Sequence, residues 1–214
     1  MSERLRRRSP LNEFQATAGP LPRPTRVGVC LTEYPCLGHL NLRGNPNDPA
    51  FRETVQRCLG TPLPLQPNTV SQNGTLTALW LGPDEWLLLI PPSREGELAR
   101  ALRDALRDFF FAVTDVTDGQ TILRISGAHA IDVLRKGCTL DLHPRTFGPG
   151  RCAQTLINKV GVLIRCVDSS PSFDLIVRRS FGEYLALWLK DAATQYGFAV
   201  IHAGQSTFLI PRWF

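Results

Sequence analysis

The chain has 214 residues, of which 43% are apolar and 20% charged, so it is long enough to bury a sizeable core and has neither collagen-like bias nor the charge density of a disordered protein. Its formal charge of +5 invites a nucleic-acid reading. That charge is concentrated in Arg4, Arg6, Arg7, Arg8, Arg23 and Arg26 and leaves the rest nearly balanced, which argues against a basic binding face on the folded part.

Residues 1–24 are basic and proline-rich, ending in Pro20-Leu21-Pro22-Arg23-Pro24, a composition that resists packing by itself. They read as an extended arm, either lying on another surface or fraying as a terminus. No apolar stretch in the first 30 residues matches the core of about 7–15 residues that a secretory signal needs, and no run approaches the roughly 18 apolar residues of a membrane span. The expected location is the cytoplasm. There Cys30, Cys36, Cys58, Cys138, Cys152 and Cys166, which form no C-x-x-C, are expected to be reduced, buried thiols.

Val27 to Leu31 predicts a short strand, followed by irregular chain to Asn47-Asp48-Pro49. Phe51, Val55 and Leu59, four apart, predict a helix over residues 50–59 stopped by Gly60. Residues 75–81 and 86–90 predict strands joined in a hairpin through Gly82-Pro83-Asp84-Glu85. Ser93 is placed to cap the next helix, whose apolar stripe runs through Leu98, Leu102, Ala105, Leu106, Phe109 and Phe110.

A second unit is expected from strands at 112–116 and 121–125 around Asp118-Gly119, with Ser126 capping a helix that carries Ala130, Ile131 and Leu134. A third has strands at 154–157, 160–167 and 173–177. It leads into a helix opened by a Ser180/Glu183 capping box, with Phe181, Tyr184, Leu185, Trp188 and Ala192 on one face. Antiparallel strand groups closed by amphipathic helices predict an α+β protein, helices packed on sheet faces, with a first lobe at 25–111 and a second at 112–214 packed as one unit.

Chemistry is hard to find in the pattern. No G-x-G-x-x-G or Walker lysine motif occurs, and His39, His129, His143 and His202 lack metal-ligand spacing, which favours surface or capping roles for them. Cys138 and His143 form the one local pair suggestive of a nucleophile and base, although a buried thiol explains Cys138 as well. Trp80, Trp86 and Trp188 lie in strand or helix patterns and read as core, whereas the terminus Phe208-Leu209-Ile210-Pro211-Arg212-Trp213-Phe214 suits either packing on its own core or insertion into a partner.

The segment Leu79-Trp80-Leu81-Gly82-Pro83-Asp84-Glu85-Trp86-Leu87-Leu88 and the segment Leu123-Arg124-Ile125-Ser126-Gly127-Ala128-His129-Ala130, leading to Leu134 and on to Cys138-Thr139-Leu140-Asp141-Leu142, carry a resemblance. Together with Gly150-Arg151-Cys152 they resemble the gamma-subunit family of heterotetrameric sarcosine oxidases over roughly residues 27–210, and L-G-P-D-E-W is the most specific part. That family is related to the folate-binding aminomethyltransferase fold, which implies ferredoxin-like halves. In that relative a G-x-I-D-D stretch supplies a carboxylate beside the folate. Here Gly161-Val162 is followed by Leu163, Ile164, Arg165 and Cys166, without the acids.

The resemblance implies a non-catalytic subunit that braces alpha, beta and delta partners. FAD, FMN, NAD and tetrahydrofolate would sit on the larger chains and zinc on delta, with no cofactor or metal on this chain. Arg6, Arg7, Arg8, Trp213 and Phe214 are the candidate subunit contacts. The alternative is an independent tetrahydrofolate-binding aminomethyltransferase-like enzyme using Asp115, Asp118 or Asp141.

Overall fold

A computed structural model describes residues 8–12 and 27–202. In chain order the elements are β1 (Val29–Tyr34), β2 (Gly38–Gly44), α1 (Pro49–Leu59), β3 (Val70–Asn73), β4 (Leu76–Gly82), β5 (Glu85–Ile90), α2 (Glu95–Ala105), β6 (Phe111–Asp115), β7 (Gln120–Ser126), α3 (Ala130–Arg135), β8 (Cys152–Ile157), β9 (Val160–Asp168), β10 (Ser172–Arg178), α4 (Gly182–Ala192) and β11 (Phe198–His202). They build a six-stranded sheet, β11-β1-β7-β10-β9-β8, and a five-stranded sheet, β3-β4-β5-β2-β6. All named pairings are antiparallel except β1 with β11. The α+β expectation holds.

The two sheets face each other, and helices cover their outer faces. Strand side chains alternate between faces, so a strand buried on both sides reads as a continuous apolar run. In β5, Trp86, Leu88 and Ile90 join Phe51, Val55 and Leu102 of α1 and α2 in one core, while Leu87 and Leu89 meet Ile122, Leu163 and Ile176 of the facing sheet. In β10, Phe173, Leu175 and Val177 pack with Leu134 of α3 and with Leu185 and Leu189 of α4. The Trp86 indole is fully buried and donates Nε1–H to the Pro64 carbonyl at 2.8 Å, which ties the proline-rich segment to the sheet.

α1 matches the helix expected over 50–59 and stopped by Gly60, and its start carries a cap beyond that expectation. The Asp48 carboxylate accepts from the Ala50 N–H at 2.9 Å and the Phe51 N–H at 3.4 Å, Pro49 occupies the first turn, and Gly60 at φ +69° returns its N–H to the Gln56 carbonyl at 2.8 Å. The β4–β5 hairpin is also as expected.

Other expectations are corrected. The irregular stretch after Leu31 contains β2, which lies inside the five-stranded sheet between β5 and β6. The strands around Asp118-Gly119 do not pair: β6 pairs with β2, and β7 with β1 and β10, so the short turn over residues 117–119 crosses from one sheet to the other. The sheets therefore do not divide between residues 111 and 112, because β1 has joined the second-half strands and β6 the first-half strands.

Three expected caps are not formed. Ser93 sits at φ +65° one residue before the Arg94 cap position, Ser126 belongs to β7, and Ser180 lies in a short 3-10 turn ahead of α4. Phe110 lies past the end of α2 and is 97% exposed. On α4 the buried side is Gly182, Leu185, Ala186 and Leu189, whereas Phe181 and Tyr184 are exposed. Among the described residues no helix is long and apolar enough to cross a membrane.

Candidate functional site

The expected contact residues Arg6, Arg7, Trp213 and Phe214 lie outside the described residues. Arg8 is exposed, and the residues after it, Ser9, Pro10 and Leu11, anchor the arm to this chain itself. Leu11 is buried in the core under the six-stranded sheet with 1% exposure. Ser9 donates its hydroxyl to the buried Glu33 carboxylate, which also accepts from Thr121 Oγ1 at 3.0 Å. The Arg179 guanidinium donates to the Arg8 carbonyl, and Pro10 lies against Gly182 at the start of α4. Burial raises the Glu33 carboxyl above its ordinary value against the opposing pull of Ser9, Thr121 and Arg179.

Between the sheets lies a charge cluster that no sequence motif announces. Thr32, Arg124, Asp174, Arg165 and Cys152 are successive register partners across β1, β7, β10, β9 and β8. Arg124 clamps Asp174 with both prongs, Nε to Oδ1 at 2.6 Å and Nη2 to Oδ2 at 3.1 Å, and Arg165 Nε donates to Oδ2 at 2.8 Å. Arg165 Nη1 crosses to Thr77 Oγ1 on the facing sheet at 3.1 Å, and Arg124 Nη1 donates to the Tyr34 hydroxyl at 3.2 Å while stacking over that ring. Burial opposes the Asp174 charge, but the two guanidiniums and their hydrogen bonds hold its carboxyl below the usual aspartate range. A carboxylate shared by two arginines is a poor base and has little lone-pair capacity left for a ligand.

One member of this cluster, Arg165, lies in the stretch 161–166, where the resemblance implied acids. Ile164 is fully buried in the helix-side core and Arg165 is committed to Asp174 and Thr77, so these residues do not fit a folate-activating carboxylate. Charged residues at Arg124, Arg165 and Asp174, each in mid-strand between apolar neighbours, are the signal in the sequence that points to it.

The remaining candidates are scattered. Asp115 and Asp118 are exposed close together around the crossover turn, and Asp141 is exposed apart from them in the loop after α3. Asp141 accepts the His143 N–H at 3.0 Å, an interaction that helps lower its carboxyl. The Cys138 thiol contacts Thr155 Oγ1 at 3.8 Å, while His143 Nδ1 accepts from the Arg145 N–H at 3.2 Å, so the tempting pair is not assembled. Cys36 is exposed and Cys30 and Cys58 are half-buried, against the expectation of buried thiols, and all six are free. Cys152, between the sheets, is pushed up to about 11 by burial.

His39 departs from the surface or capping role expected of it. It is 1% exposed, and neither ring nitrogen makes a well-aligned hydrogen bond among the described residues. Burial lowers its pKa to about 4, against the opposing influence of Asp115, a hydrogen-bond interaction with the Leu37 backbone, and Glu95. Its backbone N–H donates to Thr117 Oγ1 at 3.0 Å in the crossover turn.

Residues 43–195 match the family described as "Sarcosine oxidase, gamma subunit family". The sarcosine oxidase subunit gamma of Corynebacterium sp. (strain P-1) is 36% identical over 169 residues, 78% of this chain and 81% of that protein. Among solved structures, a heterotetrameric sarcosine oxidase from Corynebacterium sp. U-96 in complex with pyrrole 2-carboxylate contains a chain that superposes with a TM-score of 0.79 at 31% identity, covering 89% of this chain and 96% of that one. The glycine cleavage system aminomethyltransferase T from Bartonella henselae superposes with a TM-score of 0.64 at 16% identity, over 91% of this chain but 58% of that one, a likeness of fold alone.

Proposed function

The chain belongs to the sarcosine oxidase gamma subunit family, and from that premise we propose that it is the non-catalytic gamma subunit of a cytoplasmic heterotetrameric sarcosine oxidase. Its partners are the alpha, beta and delta subunits. FAD, FMN, NAD and tetrahydrofolate belong to the larger chains and zinc to delta. The assembled enzyme oxidises sarcosine to glycine, reduces oxygen to hydrogen peroxide and passes the methyl carbon to tetrahydrofolate. This chain adds no step of its own; it buries surface of the larger subunits and keeps their flavin and folate sites in register.

The carrying observation is the pairing of the family match with the sealed Arg124–Asp174–Arg165 cluster. The fold is shared with a folate enzyme, but in the stretch that would supply acids there Ile164 is core and Arg165 is committed to an internal ion pair, a separation of fold from function. The test is co-expression of a tagged copy with the larger subunits, followed by affinity capture and visible absorbance. A stoichiometric yellow complex is expected, together with no saturable tetrahydrofolate binding by the isolated chain. Saturable binding by the lone chain would instead favour the aminomethyltransferase-like alternative.

A further inference from the structure

β6 borders the five-stranded sheet, with β2 on its inner side and no described strand on its outer side. Backbone groups along an antiparallel strand point alternately to the two sides. The Gly44 N–H donates to the Asp84 carbonyl at 3.1 Å, which turns the backbone of Leu40 and Leu42 towards β5 and leaves that of His39, Asn41 and Arg43 for β6. The Val116 N–H donating to the His39 carbonyl at 2.9 Å agrees with this. Through the register, Ala112 and Thr114 serve β2, and Phe111, Val113 and Asp115 turn their N–H and C=O groups outwards.

Little in the sequence guards that edge. Phe109 to Thr114 is uncharged and free of proline, Phe110 is 97% exposed, and Ala112 and Thr114 are exposed. Open edges in native sheets are usually blunted by charge, proline or a covering segment. β3 and β8 have such cover: Ser71 and Asn73 donate to the Pro62 and Gly60 carbonyls at 2.6 and 3.0 Å, and β8 is bridged just before its start, Arg151 to Thr69, and at its end, Ile157 to Cys138. At β6 the cover is the side chain of Arg103. Exposed in the last turn of α2, it donates Nη2 to the outward Val113 carbonyl at 2.9 Å.

We propose that the outer edge of β6 is a pairing site for a second copy of this chain, antiparallel about Val113, and that Arg103 holds the site shut. The edge is complementary to itself. With Val113 opposite Val113 of the second copy, Phe111 falls opposite Asp115, outward N–H groups meet outward carbonyls, and Ala112 falls opposite Thr114 with no charge across the seam. The two Asp115 side chains then lie at opposite ends of the seam. With Arg103 in place the central carbonyl of each copy is already taken, so pairing must either break that bond or bury two guanidiniums side by side without a carboxylate between them. The inference does not depend on the gamma-subunit reading, and it concerns what keeps the chain single before any partner is met.

The test is sedimentation velocity of the full chain over a concentration series, with far-ultraviolet spectra and melting to establish folding. Because Arg103 is exposed, Arg103→Met, which keeps the stem and removes the donors, is expected to keep the fold. Arg103→Gln, too short to reach the carbonyl, repeats the test should the methionine variant melt early. Wild type is expected to stay monomeric where Arg103→Met forms dimers, a gain in self-association of at least about tenfold. Adding Ala112→Lys and Thr114→Lys to Arg103→Met sets like charges opposite each other and is expected to restore the monomer, whereas adding Ala112→Glu and Thr114→Lys sets opposite charges across the same seam and is expected to keep the dimer. Folded Arg103 variants as monomeric as wild type overturn the proposal, and so does a wild type that dimerises as readily as they do. Dimers that survive the paired lysines associate through another surface and overturn the β6 site.

Discussion

Asp174 and Arg165 face each other across β10 and β9 as direct register partners, with Arg165 Nε 2.8 Å from Asp174 Oδ2, in the seam between the two sheets. Arg124 flanks the same carboxylate from the other side, so one buried negative charge serves a buried positive charge and a partly buried one.

Replacing Asp174 by alanine strands both guanidiniums in a low-dielectric seam and is expected to destabilise the chain by about 3–5 kcal/mol in urea unfolding followed by tryptophan fluorescence. Combining it with Arg165→Met is expected to recover part of that loss. Because the Asp174 pKa is lower folded than unfolded, its contribution is fully present above the unfolded value of 3.8 and disappears as pH falls through the folded value.

His39 sets a different pH limb. Its folded pKa of about 4 lies below the ordinary 6.5, so the unfolded chain takes up a proton first and stability falls as pH drops from 6.5 towards 4. The loss across that window is on the order of 3 kcal/mol. His39→Leu is expected to flatten this limb with little loss at pH 7, since the ring nitrogens make no well-aligned hydrogen bond among the described residues. A pH series of urea midpoints for the two proteins reads it directly.

Asp48→Ala removes the acceptor for the first N–H groups of α1 and is expected to cost about 1 kcal/mol, measurable as a lower urea midpoint with unchanged slope.

Leu11→Ala weakens the root of the arm while leaving both sheets in place. Leucine truncation in a core costs at least about 2 kcal/mol, and if that falls on local undocking, trypsin cleavage after Arg8 accelerates roughly 30-fold with little change in global melting. A cleavage rate equal to wild type would show that Leu11 does not hold the arm.

Legibility in the sequence tracks the local signals. α1 is readable because Asp48-Pro49 and Gly60 mark its ends chemically, and the β4–β5 hairpin because its turn residues stand between two apolar runs. β2 escapes notice because its buried Leu40 and Leu42 alternate with Asn41 and Arg43 between two glycines, so it reads as punctuation until its neighbours are known. α4 carries two apolar stripes, and periodicity cannot say which one meets the core; Leu185 and Leu189 do, and Phe181 and Tyr184 do not. The ion-pair seam draws on β7, β9 and β10, and only their register brings its members together.

The exchange of β1 and β6 between the sheets has a consequence for how the chain is made. β1 is among the first elements to leave the ribosome, yet its two neighbours are β7 and β11, with Val29 opposite Phe198. The five-stranded sheet has all its strands once β6 has emerged. Throughout that time β1 must wait with open hydrogen-bonding edges for strands not yet synthesised, a long-range closure that is slow and aggregation-exposed. β7 can cover one edge of β1 soon after β6 appears, so the nascent chain stays exposed along the other edge until β11 emerges near the end of synthesis.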